Sequence, residues 1–268
     1  MIQIRSCEGL GELQACVQLQ IDTWGYDATD LIPRKLFLLA QRIGGQVIGA
    51  FDSDEATASN TAGALVGFAI SLPGIKSWDE GPEPYLHSHM LAVRPSHQNR
   101  GLGAQLKWAQ RDEALTRGIR RMEWTFDPLA IKNAFLNIHK LGAIVREYRV
   151  DFYGVSSSRL QGGLPTDRLL AEWELDSPRV AAPFARQSAV NYEIEERIVV
   201  PASINEWKSC KETRERALTV QFEIRRKFQK AFSKGLAVLD FSMDVDRNGI
   251  FELGRRLKPD SERGQDAN

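Results

Sequence analysis

Two short stretches hold residue types whose spacing suits chemistry. In the first, His87-Ser88-His89, two imidazoles stand at i and i+2, and the run continues apolar as Met90-Leu91-Ala92-Val93. A strand sets both rings on one face. With an ordinary pKa of about 6.5, each is a neutral base at pH 7. The second stretch, Gln98-Asn99-Arg100-Gly101-Leu102-Gly103, lies after Arg94-Pro95 and runs into the helix-forming Ala104-Gln105-Leu106-Lys107-Trp108-Ala109. An apolar strand, a short polar turn and a helix start make a junction suited to an anion. The first N–H groups of a helix have no intrahelical partner, and the macrodipole adds partial positive charge there. Gly101 and Gly103 let a phosphate approach the backbone with no Cβ in the way. The plain alternatives are a tight turn for the glycines and a polar strand face for the histidines.

The elements that position these residues follow from periodicity. Ile2–Arg5 reads as a strand, and Glu12–Thr23 and Arg34–Gln41 as helices. Gly45–Asp52 and Ala64–Leu72 are apolar strands around a polar, small-residue hairpin loop at 53–63. Tyr85–Val93 is the histidine strand and Leu102–Arg117 the helix after the loop, with Gly118 as its cap. Met122–Phe126 reads as a strand, Leu129–Leu141 as a helix and Ile144–Tyr153 as a strand. The order predicts an α/β (α+β) fold with a mixed sheet rather than a doubly wound one.

Gln98-x-x-Gly101-x-Gly103 after an apolar strand resembles the acyl-CoA pyrophosphate loop of the GNAT N-acetyltransferase superfamily. The likeness continues through Asn133-Ala134-Phe135 and Lys140-Leu141-Gly142-Ala143, so it spans residues 63–153. It implies a mostly antiparallel sheet flanked by helices, and acetyl-CoA or another acyl-CoA as cosubstrate. It also implies a cradle of Gln98, Asn99, Arg100, Gly101, Leu102 and Gly103, with the backbone of Leu91 and Val93 and the side chain of Asn133 toward pantetheine. As a bare sequence feature, Asn133 is equally a helix cap. His87-Ser88-His89 resembles the pair with which serotonin N-acetyltransferases relay the amine proton through water, which implies His89 helped by His87 as catalytic base. Asp127, before Pro128, is a third catalytic candidate that would hold an ammonium or assist the base. A turn-forming Asp fits there as well. One departure stands out: where many members carry a tyrosine acid toward the thiolate, this chain has Ile138. Tyr148, Tyr153 or water would then substitute.

Beyond residue 154 the likeness to a minimal domain of that superfamily ends. Expected boundaries are 1–154 for the acyl-CoA-binding domain, 155–257 for a C-terminal strand–helix–hairpin extension and 258–268 for a disordered tail. Within the extension, Arg168–Leu175 and Ile194–Val200 read as strands, 176–191 as a linker and Ser203–Lys234 as one long amphipathic helix. Leu164-Pro165-Thr166-Asp167-Arg168 onward resembles a bacterial subgroup, some of whose members are associated with N-succinylation of amino acids. Asp244-Val245-Asp246-Arg247-Asn248-Gly249 begins like a calcium loop, but Arg255 stands where the bidentate carboxylate is needed, so a hairpin turn is expected.

Composition narrows the rest. Lys+Arg and Asp+Glu are equal at 35 each, so no basic field would gather nucleic acid. Cys7, Cys16 and Cys210 are too scattered for a disulfide framework or a metal cluster, and no metal is expected. No run approaches the ~20 apolar residues of a membrane span, and the start lacks a secretory pattern, so a cytoplasmic protein is expected. The reading is an N-acyltransferase acting on a small-molecule amine, with a homodimer admitted. An amino-acid N-succinyltransferase and a catalytically silent CoA-binding protein are the alternatives.

Overall fold

The structure, a computed structural model, describes residues 1–55, 63–78, 81–181 and 192–256. Most of the 53–63 loop, the linker beyond 181 and the expected tail therefore lie outside the described residues. The chain forms two compact units. One comprises Met1–Thr125 with Tyr153–Thr166, the other Phe126–Phe152 with Asp167–Asn268.

The first unit runs β1 (Ile2–Ser6), α1 (Gly9–Trp24), α2 (Arg34–Arg42), β2 (Gln46–Asp52), β3 (Ala64–Trp78), β4 (Gly81–Val93), α3 (Leu102–Thr116) and β5 (Arg121–Phe126). Its strands lie in numerical order, antiparallel through β4, with β5 parallel to β4 at Leu86↔Met122 and His87↔Glu123. Both faces of the central strands are covered. α1 and α2 pack Leu13, Cys16 and Phe37 with Phe68, Ile70 and Ala92. On the other face α3 sets Leu102 and Leu106, four residues apart, with Ile48, Val66 and Val93. Burying each such side chain contributes about 1.5–3 kcal/mol.

The β3–β4 hairpin is longer than its sequence suggested, since pairing continues to Trp78↔Gly81 through Pro73, Pro82 and Pro84. Proline weakens a strand reading because it cannot donate to the ladder. Pro82 and Pro84 lie beyond the short pairing with β5, where β4 meets β3 alone. Residues 153–166 belong to this unit because they are tied to it. Ser157 donates its N–H and its hydroxyl to Asp30 (2.7 and 2.8 Å), and the Arg159 N–H reaches Trp24 O at 3.1 Å.

The second unit runs α4 (Ile131–Ala134), which widens into a π turn over Phe135–Lys140, then β6 (Ile144–Arg149), β7 (Arg168–Glu174), α5 (Pro178–Ala181), β8 (Tyr192–Val200), α6 (Ile204–Ser209), α7 (Arg214–Ser233), β9 (Ala237–Met243) and β10 (Gly249–Arg256). Its strands are ordered β7-β6-β9-β10-β8, all antiparallel. Phe251 meets Phe228 and Phe241 edge-on, at centroid distances of 5.1 and 4.7 Å.

Three sequence expectations change here. β6 ends at Arg149 and pairs with β7 and β9, so the division falls after residue 125 with a return at 153–166, not at 154. The single helix expected over Ser203–Lys234 is two, α6 and α7, with a break at Cys210. The helix expected over Leu129–Leu141 is one α turn followed by the π turn. The Asp244 turn forms as expected: its carboxylate accepts the N–H groups of Asp246 (3.0 Å) and Asn248 (2.8 Å) and the Asn248 amide (2.9 Å).

Candidate active site

The glycine loop is built as the sequence implied. Gly101 caps α3 in the left-handed region (φ 82°), and the first intrahelical bond runs from the Gln105 N–H to Gly101 O at 3.1 Å. The N–H groups of Leu102, Gly103 and Ala104 precede that bond and point out of the helix start. No side chain caps the helix, and its first turn contains no acidic residue to repel an anion. A Cβ built on Gly101 would meet only the end of Gln105, at 4.0 Å. Asn99 is also left-handed (φ 60°), which curls the loop before the helix. Gln98 turns its amide back to Val93 O (2.9 Å) and so braces the strand end with its side chain. Upstream, His97 Nε2 lies 3.2 Å from Asp52, tying the loop entrance to the end of β2. An uncapped 15-residue helix with an exposed Gly101 in front of it fits a pyrophosphate bound by backbone amides.

The histidine pair stands on β4 as predicted, with ring centroids 6.1 Å apart. Sequence did not show that His89 is the extra residue of a bulge. β3 pairs Ile70 with Met90 but Ser71 with Ser88, skipping His89. Bulges twist a strand and re-aim a side chain. Burial, then the neighbouring His87, holds the His89 pKa below its ordinary value, so it is neutral at pH 7. His87 Nδ1 lies 3.5 Å from Glu123 Oε1, across the β4–β5 pairing. The other Glu123 oxygen accepts from Lys76 Nζ at 2.7 Å. Burial opposes ionisation of Glu123, but His87 and Lys76 outweigh it and lower its pKa. Glu123 was not among the sequence candidates. An acidic residue between Met122 and Trp124 was the available signal, but its pairing with His87 depends on strand register.

The opposite face of β4 carries a second polar group, beneath α3. Lys107 Nζ donates to Ser88 Oγ (2.7 Å) and sits 3.6 Å from the centroid of the Trp124 ring. Ser88 Oγ in turn donates to Gln110 Oε1 at 2.9 Å. Full burial pushes the Lys107 pKa well down.

Leu91 and Val93 close β4 ahead of the loop. Asp127 and Asn133 belong to the second unit. Asp127 plays the turn-forming part: Oδ1 accepts the Leu129 N–H (2.8 Å), while Oδ2 pairs with Lys208 Nζ at 2.6 Å. Asn133 is exposed in the body of α4, whose N-cap is Ala130, so the capping alternative does not hold. Ile138 is fully buried in the π turn. Tyr148 is removed from the list of proton donors. Its hydroxyl donates to the buried Asp167 at 2.6 Å, and burial followed by that carboxylate raises its pKa strongly. Tyr153, in the first unit, holds its hydroxyl 2.8 Å from Thr125 Oγ1.

Residues 13–136 match the model of the acetyltransferase (GNAT) family. Those residues, a little under half of the chain, form a GNAT acetyltransferase domain of the transferase type. No curated protein matches its sequence. Among solved structures, Arabidopsis thaliana NAA60 in complex with acetyl-CoA is similar, with 14% identity, a TM-score of 0.54, and coverage of 66% of this chain and 100% of that one. The ribosomal-protein-S18-alanine N-acetyltransferase from Escherichia coli has 18% identity, a TM-score of 0.48, and coverage of 66% and 96%. At these identities the plant structure bears on the fold alone. Among the described residues, no helix is long and apolar enough to cross a membrane.

Proposed function

We propose that this chain transfers an acetyl group from acetyl-CoA to the amine of a small molecule, with Gln98–Gly103 as the pyrophosphate cradle and His89 and His87 as the proton relay. The observation that carries the reading is the histidine pair on a bulged strand that leads straight into an uncapped helix start. An alkylammonium has a pKa of about 10.4 and cannot attack until it sheds a proton. The bound thioester supplies an activated carbonyl. His89, neutral because it is buried, accepts the ammonium proton directly or through one water, and His87 beside it passes charge toward solvent. The C–N bond forms as the C–S bond breaks. The second amine proton ends on the departing thiolate and the first in solvent, leaving amide, free thiol and one proton. With Tyr148 committed to Asp167, Tyr153 or water is left to serve the thiolate.

The test is free-thiol release from acetyl-CoA and succinyl-CoA with pooled amino acids and polyamines. His89→Ala should lower turnover by about 10²-fold, as loss of a general base does, while calorimetric CoA affinity stays as it was. Preference for succinyl-CoA would move the donor assignment. Tight CoA binding without turnover from any donor would make the protein a silent binder.

A further inference from the structure

The proton relay needs its imidazoles in one tautomer, and one group on β5 is placed to set it. Glu123 is 7% exposed, an ionised carboxylate in a strand whose neighbours Met122 and Trp124 are buried. Its Oε1 faces His87 Nδ1 at 3.5 Å, and its Oε2 is held by Lys76 Nζ at 2.7 Å. Lys76 stands on β3, His87 on β4 and Glu123 on β5, so three adjacent strands converge on one carboxylate. Among the described residues, Tyr85 also faces Glu123, and His89 stands beside His87. The Tyr85 hydroxyl is held above its ordinary pKa by burial and then by the Glu123 charge. An imidazole whose Nδ1 faces a carboxylate keeps its proton there, which leaves the Nε2 lone pair as the base.

We propose that Glu123, held by Lys76, is the positioning residue that fixes His87 as the Nδ1–H tautomer and leaves its Nε2 free to take the proton that His89 hands on. The inference rests on the acyl-transfer reading for its kinetic part only; the tautomer is a property of the resting protein. Lys76 keeps Glu123 ionised and anchored, so the carboxylate does not follow the imidazole out of place. Removing the orienting partner of a metal-bound histidine costs about 10–100-fold, and a loss of that order is expected here.

The experiment is nitrogen-15 NMR of the full chain with labelled histidine at pH 8, assigned with His87→Gln, alongside acyl-transfer kinetics. Wild type should show His87 protonated at Nδ1. Glu123→Gln should show a mixture of tautomers and a kcat lowered about 10–100-fold, with KM for acetyl-CoA unchanged. Glu123→Asp, which keeps the charge, should restore part of both, and it serves as the folded control if the glutamine variant proves unstable. A wild-type His87 protonated at Nε2, or a tautomer that Glu123→Gln leaves unmoved, overturns the proposal. A tautomer that moves while kcat does not overturns its role in the reaction, with acyl transfer still standing. If no donor turns over in wild type, the acyl-transfer reading fails, and the resonances alone decide whether Glu123 sets the tautomer.

Discussion

His89 ties the chemistry to a measurable stability. Burial, then His87, depresses its folded pKa, while the unfolded chain protonates it at about 6.5. Its contribution is therefore fully present above pH 6.5 and is lost as pH falls through the folded value. His89→Gln should remove that loss. Denaturant midpoints of wild type should drop more between pH 7.5 and pH 5 than those of the variant, and equal drops would show that His89 titrates alike in both states. Gly101 gives a second residue-level outcome. At φ 82° a β-carbon costs roughly 1–2 kcal/mol, although the space around it is open. Gly101→Ala should fold with a slightly lower midpoint and bind CoA at least tenfold more weakly by calorimetry, because the loop relaxes toward negative φ. Unchanged affinity would separate the loop from the coenzyme. The histidine pair and the glycine loop were legible in sequence because each is local, spelled within seven residues. Glu123 and Lys76 were not, since only the register of three strands brings them to His87.

At the scale of elements, α3 has a charged residue where its apolar stripe ought to continue. Lys107 is 3% exposed and meets β4 and β5 through Ser88 and the Trp124 ring. Burial holds its pKa well below the ordinary lysine value, so between the folded and unfolded values the amine is neutral in the folded protein and charged in the unfolded chain. Within that window the unfolded state binds more protons, and stability rises as pH climbs toward about 10.4. Lys107→Met should raise the urea midpoint at pH 7 and flatten its rise between pH 7 and 10. Ser88 keeps a partner in Gln110, so the variant leaves no orphaned hydroxyl there. A variant as pH-dependent as wild type would mean the amine is charged when folded. The bulge at His89 and the π turn at Phe135–Lys140 escaped periodicity for one reason: each inserts a residue that a regular 2.0 or 3.6 repeat does not count. Most other boundaries in the first unit fell within a few residues, because their apolar stripes are strong. The prolines at 73, 82 and 84 hid the far half of the hairpin.

For the whole molecule, the sequence supported the class of fold but put the division of the chain at residue 154, whereas the compact units part after 125 with a return at 153–166. The second unit is assembled from two separated stretches, 126–152 and 167 onward, and composition does not change where they part. Beside the pairing of β6 with β7 and β9, a buried carboxylate joins them. Asp167, fully buried, accepts two bonds from Arg225 of α7 (2.9 Å each), one from the Tyr148 hydroxyl (2.6 Å) and one from the Asp151 N–H (3.0 Å). Tyr148 and Asp151 come from the earlier stretch, Asp167 and Arg225 from the later one, so the four bonds clasp the unit across its chain break. The guanidinium is 19% exposed and cannot rehydrate freely once its partner is gone. Taking one partner from such a buried pair costs about 3–5 kcal/mol. Asp167→Asn should therefore lower the unfolding free energy of the full chain by that order, read as a shift of the denaturant midpoint. Replacing both partners, Asp167→Asn with Arg225→Met, should recover part of the loss, since no unpaired cation is then buried. The two single variants and the double form a cycle whose coupling term must be large and favourable if the clasp holds the second unit together. Strict additivity would leave Asp167 as a buried group whose partners contribute independently.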